Sequence, residues 1–518
     1  MRPIFISGAL LFAALKTTYA APVAANVSCP YKSQDRVAAL AHNLKTLPPA
    51  MIPITNTSIK AHNHGDEDDP VNEYLVVMAA NETRPWNEIF DEMGYNITQM
   101  TSAHDHFTTF GGSNNNHASF QTEDGTRIDT WGKTMRAFTM KMKFSEADAI
   151  MESENIFSLH ENEMGYASVM PRDDTDVAAE HEFAKTQHET WPEEEFSTIT
   201  KRQNNYNYYA ADSTPAQTQE QNTAPWNLQR VSTMGRVNAN GRRATDLTFN
   251  YVFDQDAGSG VDVYVLDSGI NTAHVDFNGR ATMGFSAYGS NNQDDLGHGS
   301  HCSGTIGGRR FGVAKNVNLV GVKVLAGPRG SGSTSAIMGG LQFAYQRHMQ
   351  RMKDPNFKGS VISMSLGGRG NPASVRQAMQ MASNAGMHIS VAAGNDNADA
   401  CGYWPAGFST NIPIISVGAT DINDNRAPFS NYGRCVDIHA PGVAIVSDHN
   451  RGPQSITSMQ GTSMACPAVS GMIADELVRN PNLKLDPRGM KNLILSKAVK
   501  GVVRGTNNAP NMLNNGLR

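Results

Sequence analysis

Positive charge and long apolar runs are both scarce in this 518-residue chain. Its 43 lysine and arginine residues are outnumbered by 49 acidic residues, which gives a formal net charge of -6. A nucleic-acid or anionic-membrane partner favours a basic patch, and no such patch stands out in the sequence. Beyond the N-terminus, no stretch is long and apolar enough to cross a bilayer. We therefore expect a soluble protein that binds neither nucleic acid nor membrane.

Cysteine is scarce as well, and its odd number leaves at least one thiol without an intramolecular partner. The five cysteines are Cys29, Cys302, Cys401, Cys435 and Cys466. Residues 1–20 have the pattern of a secretory signal peptide, with Arg2 before an apolar stretch and small residues around Ala20. A buried N-terminal helix is the less favoured alternative. Export would give the cysteines an oxidising environment.

Export would also make four N-x-S/T triplets candidates for glycosylation. They begin at Asn26, Asn56, Asn81 and Asn96, all in the first hundred residues. Residues 21–72 form an extension without clear periodicity. Within it, His62, His64 and Asp66 could bind a metal, but a solvated acidic loop is the favoured interpretation.

Two folded regions are separated by an acidic segment. In residues 73–165, segments typical of strands and helices alternate, which predicts a compact α+β unit. Residues 166–222 are rich in Asp, Glu, Gln, Asn and Thr and are predicted to form a linker or activation segment. The dibasic pair Lys201-Arg202 lies in this segment, where an exposed loop is easily cut.

From residue 223 to 518, short apolar runs alternate with segments typical of helices. The runs VDVYVLD, VNLVGVKVL, VISMSL, HISVAA and IPIISVGA are rich in β-branched residues and suit strands buried on both faces of a parallel sheet. This alternation predicts an α/β fold with a doubly wound, mostly parallel sheet. In such folds the active crevice lies at the carboxyl ends of the strands.

Four polar residues stand at predicted strand ends or helix starts. Asp267 ends the run VDVYVLD, and Asn395 follows HISVAA and Gly394. His298 lies in a glycine-flanked turn, and Ser463 follows Gly461-Thr462 at the start of a small-residue helix. A helix N-terminus favours negative charge that develops on a serine oxygen.

Each of these residues also has a plainer interpretation. Asp267 alone proves little, Ser463 could be a simple helix cap, and His298 with His301 could be read as a metal pair, although no third ligand follows at helical spacing. Together, however, they supply what acyl transfer needs. A serine nucleophile requires a base, the base requires a carboxylate, and the tetrahedral oxyanion requires hydrogen-bond donors.

The ordered motifs VLDSGI, GHGSHCSGTIGG, SMSLGG, AAGND and GTSMACP resemble the subtilisin-like serine proteases, most closely the proteinase K subfamily. The resemblance covers about residues 223–518. It implies that Asp267 orients, that His298 is the general acid and base, and that Ser463 attacks. Asn395 and the Ser463 N–H would then form the oxyanion hole. Catalysis would need no cofactor.

The resemblance also implies a substrate-binding groove. An extended peptide would lie as an added strand between two segments, next to a pocket for the residue before the scissile bond. Small uncharged walls in that pocket suit apolar or aromatic side chains. The implied substrate-binding residues are Gly330, Ser331, Gly332, Ser365, Leu366, Gly367, Ala392, Ala393 and Gly394.

A calcium site and a disulfide are implied in the same way. Asp437 with the carbonyls of Ile412 and Ile414 would bind a structural calcium ion, and a salt bridge or capping role for Asp437 is the alternative. Cys401 and Cys435 would be joined. Cys302 and Cys466 are interpreted as buried small residues rather than nucleophiles. Ser300 and Ala468 depart from the usual threonine and histidine, which leaves fine substrate preference open.

Residues 73–165 resemble the inhibitor-type propeptide of subtilisins, which has a ferredoxin-like fold. We therefore expect a secreted, monomeric zymogen that matures into an endopeptidase acting on protein or peptide substrates, with its own propeptide as an intramolecular inhibitor. A kexin-like processing protease would be expected to have acidic pocket walls and a further C-terminal domain. A binding protein or inactive relative on the same fold is the non-enzymatic alternative.

Overall fold

The computed structural model describes residues 71–168, apart from 80, 100–107, 110–117, 132–135, 152 and 154, together with residues 200–202, 217–506 and 510–517. The predicted signal peptide, the 21–72 extension almost entirely, Cys29, Asn26, Asn56 and most of the acidic segment lie outside the described residues. Within them, none of the helices is both long enough and apolar enough to cross a bilayer.

An antiparallel sheet of six strands forms the first folded unit. The strand order is β2-β4-β5-β6-β1-β7, with helices α1 and α2 packed against it. Its core includes Val76, Phe90 and Phe138, which are fully buried. The α+β prediction holds, and the hairpin formed by β4 and β5 is a strand pair that was not predicted. The elements of this unit and of the segment after it are β1 Val71–Met78, α1 Trp86–Glu92, β2 Ile97–Gln99, β3 Thr108–Thr109, β4 Ala118–Thr122, β5 Arg127–Trp131, β6 Ala137–Lys143, α2 Phe144–Met151, β7 Ile156–Glu161, β8 Met164–Ala167 and β9 Thr200–Arg202.

The second folded unit is built on an eight-stranded sheet with the order β21-β20-β18-β16-β12-β14-β13-β3. Its strands are parallel except β3, which pairs antiparallel with β13. The remaining strands of the chain are β10 Thr218–Ala224, β11 Phe249–Asp254, β12 Val261–Asp267, β13 Ala281–Ser286, β14 Asn318–Lys323, β15 Ser331–Ser333, β16 Gly359–Met364, β17 Leu366–Arg369, β18 His388–Ala392, β19 Tyr403–Trp404, β20 Ile415–Thr420, β21 Ile438–Pro441, β22 Ile445–Asp448 and β23 Ile456–Met459.

Helices cover both faces of this sheet, as the α/β alternation predicts. The further helices are α3 Trp226–Val231, α4 His298–Gly307, α5 Thr334–Arg351, α6 Ala373–Asn384, α7 Thr462–Arg479 and α8 Pro487–Lys497, with short 3-10 helices at Val275–Phe277, Ala400–Gly402, Ala406–Thr410 and Pro481–Leu483. Along β12, Val263 and Val265 join the core under α4 and α7. Tyr264 and Leu266 join the core under α5 and α6. A strand with apolar residues on both faces is therefore buried on both faces.

Element boundaries differ from the sequence prediction around the acidic segment. Strand β8 crosses the boundary drawn at residue 165, and β10 begins before residue 223. The dibasic pair Lys201-Arg202, predicted to lie in an exposed loop, forms part of β9 and pairs with β10. Composition suggested a loop here because a short paired strand of polar residues has no apolar pattern.

Candidate active site

Asp267 lies at the carboxyl end of β12, at the crevice edge of the parallel sheet. Its side chain is fully buried. The Oδ1 atom accepts hydrogen bonds from the Ser268 backbone N–H at 2.7 Å and from His298 Nδ1 at 2.7 Å. A buried carboxylate that accepts from Nδ1 fixes the imidazole in the tautomer whose Nε2 is free to take a proton.

His298 is the first residue of helix α4. Gly297, which precedes it, has φ +88°, and a Cβ atom there would lie 2.6 Å from His449 Nε2. The turn therefore requires glycine. Burial disfavours the imidazolium of His298, but the Asp267 carboxylate and, to a smaller degree, the Cys302 sulfur favour it, and together they raise the pKa of His298 well above its usual 6.5. The imidazole is thus prepared to accept a proton.

Ser463 is the second residue of helix α7 and is fully buried. Its Oγ donates to the carbonyl oxygen of Ser365 at 2.9 Å rather than to His298. The Ser463 N–H donates to the carbonyl oxygen of Ser168 at 3.1 Å. Attack on a peptide therefore requires the Ser463 hydroxyl to rotate from Ser365 toward Nε2 of His298.

Asn395 lies beside the start of helix α7. Its Oδ1 accepts from the Thr462 N–H and from Thr462 Oγ1, both at 2.9 Å, which fixes the amide plane. The buried Nδ2 has no hydrogen-bond partner among the described residues. A fixed, unpartnered donor next to the Ser463 N–H is the arrangement that stabilises a tetrahedral oxyanion.

Strand β8 occupies the groove that was predicted for a substrate. It pairs antiparallel with β15 on one side and with β17 on the other, in a four-stranded sheet completed by β19. The Ala167 N–H donates to the Gly330 carbonyl at 2.8 Å, and the Ser168 N–H donates to the Ser365 carbonyl at 3.0 Å. The Ser168 carbonyl oxygen therefore accepts a hydrogen bond from the Ser463 N–H, the predicted oxyanion donor, as the carbonyl of a scissile bond would.

Six of the nine predicted substrate-binding residues contact this strand. Gly330, Ser331 and Gly332 lie along β15, and Ser365, Leu366 and Gly367 lie along β17. Ala392 and Ala393 are buried at the end of β18, and the Gly394 N–H donates to Thr462 Oγ1 at 3.2 Å. The first six residues therefore flank β8, and the last three follow the end of β18, where Gly394 is tied to the start of helix α7.

Among the described residues, the free cysteines are Cys302 and Cys466, both buried beneath the site. Cys302 Sγ is 4.0 Å from His298 Nε2 and 3.4 Å from the Ser463 carbonyl oxygen. Burial raises the pKa of the Cys302 thiol, and it raises the pKa of Cys466 to about 11. Because the thiolate is the nucleophilic form, both cysteines are poor nucleophiles. Cys401 and Cys435 form a disulfide, as the resemblance implies.

Three groups of residues were candidates for metal binding, and one of them, His62, His64 and Asp66, lies outside the described residues. Among the described residues, only Asp267, His298 and Cys302 place three ligand atoms within 4.8 Å of one another, and two of these residues form the acid–base pair itself. His301 is not part of the group, since its Nε2 hydrogen-bonds the Ile445 carbonyl at 2.9 Å.

The residues implied for calcium do not fit that ion as they lie. The Lys491 ammonium is 2.7 Å from Asp437 Oδ1 and donates to the carbonyls of Ile414 and Ser409 at 2.8 and 3.1 Å. The Ile412 carbonyl accepts from the Ile414 N–H. An ammonium stands among these oxygens where the divalent cation was expected, so the salt-bridge alternative describes Asp437.

Several residues that build the site were not predicted. Asp294 accepts from Ser268 Oγ, from the Gly297 N–H and from Ser300 Oγ at 2.6 to 2.8 Å, which ties the loop of Asp267 to that of His298. The only sequence feature that pointed to Asp294 as part of the site was its position four residues before His298. Ser168 was missed because the acidic composition placed it in a linker.

Comparisons with known proteins agree with this geometry. Residues 258–517, half of the chain, match the family model described as the subtilase family. The chain is 41% identical to the subtilisin-like serine protease Pen c 2 of Penicillium citrinum over 306 residues, which is 56% of this chain and 64% of that protein. It is also 41% identical to alkaline protease 2 of Aspergillus fumigatus over 307 residues, 56% of this chain and 60% of the relative.

A third relative, subtilisin-like protease 8 of Arthroderma benhamiae, is 41% identical over 309 residues, which is 57% of this chain and 61% of the relative. The chain thus spans less than two thirds of the length of these curated relatives. A crystal structure of a cold adapted subtilisin-like serine proteinase matches with 37% identity and a TM-score of 0.48, covering 57% of this chain and 98% of that one. The family match, together with the order of the motifs along the chain, shows that this protein belongs to the subtilase family.

Proposed function

We propose that this chain is a secreted serine endopeptidase, made as a zymogen and held inactive by its own N-terminal unit. The observation that carries the proposal is the position of Ser168, whose carbonyl oxygen accepts from the Ser463 N–H while β8 is paired on both sides. An extended peptide can bind to a protein as a strand added to an exposed sheet edge. Here β8, a segment of the same chain, is bound in that way.

The mechanism is acyl transfer. His298 Nε2 removes the proton of Ser463 Oγ, and the oxygen attacks the carbonyl carbon. The Ser463 N–H and Asn395 Nδ2 hold the oxyanion, and the imidazolium, stabilised by Asp267, then protonates the leaving amine. Water, activated by His298, hydrolyses the acyl-enzyme and releases the free serine.

The same reaction would mature the chain. The bond after Ser168 is the one aligned with Ser463, so we infer that the matured enzyme begins at Val169. The first unit then remains bound through side chains as well as through β8. Asn162 Oδ1 accepts from Thr334 Oγ1 at 3.0 Å and from the Ser335 N–H at 2.9 Å, at the start of helix α5. These contacts support its role as an inhibitor.

The proposed substrate preference rests on the pocket that the resemblance implies beside Ser365 and Gly394. Ala392 and Ala393 of that segment are buried and uncharged, and the Asp396 carboxylate lies 3.8 Å from where a Cβ atom of Gly394 would be. We propose a broad specificity at the residue directly before the scissile bond, with apolar or aromatic side chains favoured there. Secretion is supported by the signal-peptide pattern and by the Cys401–Cys435 disulfide. Asn81 and Asn96 are exposed and are the described candidates for glycosylation in that environment, although Asn96 Nδ2 would have to leave its hydrogen bond to Glu123 Oε1.

Two measurements test this function. The full chain should mature unaided to a fragment that begins at Val169 and is labelled at Ser463 by a serine-reactive phosphonate. Ser463→Ala should stay full-length and unlabelled. Ser470→Ala is a matched control on the same helix, where the hydroxyl hydrogen-bonds Ser363 Oγ at 2.9 Å, and it should mature normally.

Unaided maturation of Ser463→Ala would overturn self-processing. A mature N-terminus just after Lys201-Arg202 would instead assign the cut to another protease. Failure of the wild-type protein to take the label would favour a binding protein on this fold.

A further inference from the structure

Gly165 is the fourth residue before the proposed scissile bond, and its backbone does not require glycine. Its φ lies outside the left-handed region, and it forms a regular pair with Gly332 of β15. In such an extended conformation any L residue is allowed. The reason for glycine must therefore be sought in the space around its Cα atom.

That space is closed. A Cβ atom on Gly165 would lie 2.7 Å from Trp404 Cη2 and 3.0 Å from Ile337 Cδ1. Favourable carbon–carbon contacts lie at about 3.5–4.0 Å. A methyl group at this position would already overlap the indole ring, and a longer side chain would have to displace it.

The two obstructing side chains are held firmly. Trp404 is 1% exposed, and β19, which carries it, pairs with β17 so that Trp404 is opposite Gly368. Ile337 is fully buried on helix α5, in the same core cluster. Close-packed side chains of this kind cannot shift without cost.

The neighbouring positions of β8 are open. Side chains alternate between the two faces of a strand, and Met164 and Tyr166 are 44% and 47% exposed. Gly165 is buried on the opposite face. The groove can therefore discriminate between side chains at the position of Gly165, but not at the positions of Met164 and Tyr166.

We propose that Trp404 and Ile337 are specificity-determining residues that restrict the fourth residue before the scissile bond to glycine. This inference rests on the endopeptidase function proposed above. The indole of Trp404 fills the space that a side chain at this position would need.

The test uses enzyme matured from the full chain and internally quenched peptides EMXYASVMPR, in which X is Gly, Ala, Leu or Phe. Because forced overpacking costs a few kcal/mol at most, we expect kcat/KM to fall about tenfold from Gly to Ala and about a hundredfold from Gly to Leu or Phe. Varying the tyrosine position in the same peptide should change kcat/KM less than threefold, since that side chain is exposed.

Trp404→Ala should remove the restriction and make the Leu peptide at least as good as the Gly peptide. The indole N–H has no hydrogen-bond partner among the described residues, so the substitution removes packing alone. Within the full chain, Gly165→Leu should slow cleavage after Ser168, Gly165→Leu with Trp404→Ala should restore it, and Tyr166→Leu is the matched control that should cleave normally.

The possible outcomes separate the two proposals. Hydrolysis of all four peptides at similar rates by the wild-type enzyme would overturn the glycine restriction and leave the endopeptidase function standing. Hydrolysis of none of them, nor of an unfolded protein substrate, would overturn the function itself. The wild-type peptide series decides the restriction even where Trp404→Ala fails to fold.

Discussion

Replacing Lys491 by methionine should show whether its ammonium, rather than a calcium ion, neutralises the Asp437 carboxylate. Lys491→Met keeps an apolar stem of similar length and removes the ammonium. The Asp437 carboxylate would then lie with the Ile414 and Ser409 carbonyls and no cation. Burial already raises the pKa of Asp437, and Lys491 opposes that rise, so its loss leaves a nearly buried carboxylate without its counter-charge.

The expected loss in free energy of unfolding depends on how exposed the side chains of Lys491 and Asp437 are. Breaking a buried ion pair by removing one partner costs about 3–5 kcal/mol. The side chains of Lys491 and Asp437 are 15% and 13% exposed, so solvent reduces the penalty and we expect about 2–3 kcal/mol. For a unit of about 300 residues, at about 2.1 cal/mol/K of unfolding entropy per residue, that corresponds to a fall in Tm of roughly 3–5 °C.

The assay is thermal unfolding in a Ser463→Ala background, which prevents self-digestion. With Lys491 present, excess EDTA or added calcium should leave Tm unchanged. In Lys491→Met, calcium should restore part of the lost Tm, because the exposed group is a set of hard oxygen ligands. Lys491→Met with Asp437→Asn is the control that should lose the calcium response. A clear fall in the Tm of the Lys491 protein on chelation would refute the reasoning.

Three further predictions concern the site and its inhibitor. Asn395→Ala should lower kcat about a hundred- to a thousandfold with little change in KM; the figure is taken from the corresponding donor in subtilisin. A rise in KM at constant kcat would contradict the role of Asn395 as an oxyanion donor. His160 of β7 hydrogen-bonds Ser374 at the start of α6 and the Glu161 carbonyl, and burial lowers its pKa below 6.5. Binding of the first folded unit to the second is therefore strongest above pH 6.5 and weakens as the pH falls. Once the bond after Ser168 is cut, activity should appear faster in mild acid than at neutral pH. His160→Gln should remove that dependence. Replacing Cys401 and Cys435 by serine should cost about 4 kcal/mol by the chain-entropy estimate for a separation of 34 residues, and unchanged unfolding in denaturant would count against it.

The catalytic constellation could be predicted from the sequence because each member follows a local rule. Asp267 and Asn395 come at or just after strand ends, and Ser463 and His298 come at helix starts, where glycine punctuation marks the turns. Parallel strands bring their carboxyl ends to one edge. The structure brings these four residues together, and their roles stay predictions until the variants are measured.

What the sequence did not predict depends on contacts between distant segments. Lys491 reaches Asp437 from helix α8, and Trp404 meets Gly165 from a strand more than two hundred positions away. No periodicity or motif encodes such a pairing. Ser168 was assigned to a linker because acidic composition begins nearby, whereas its hydrogen bonds are made by the backbone and leave no trace in side-chain pattern.

The attachment of β8 to the groove within one polypeptide has a kinetic consequence. A bond cut by the site that already holds it breaks in a first-order process, so the half-life of the uncut form is independent of protein concentration. If the bond after Ser168 is cut in this way, dilution of the full chain should leave the rate of that step unchanged. Each molecule would then mature at a rate set by its own site, whatever the number of molecules around it.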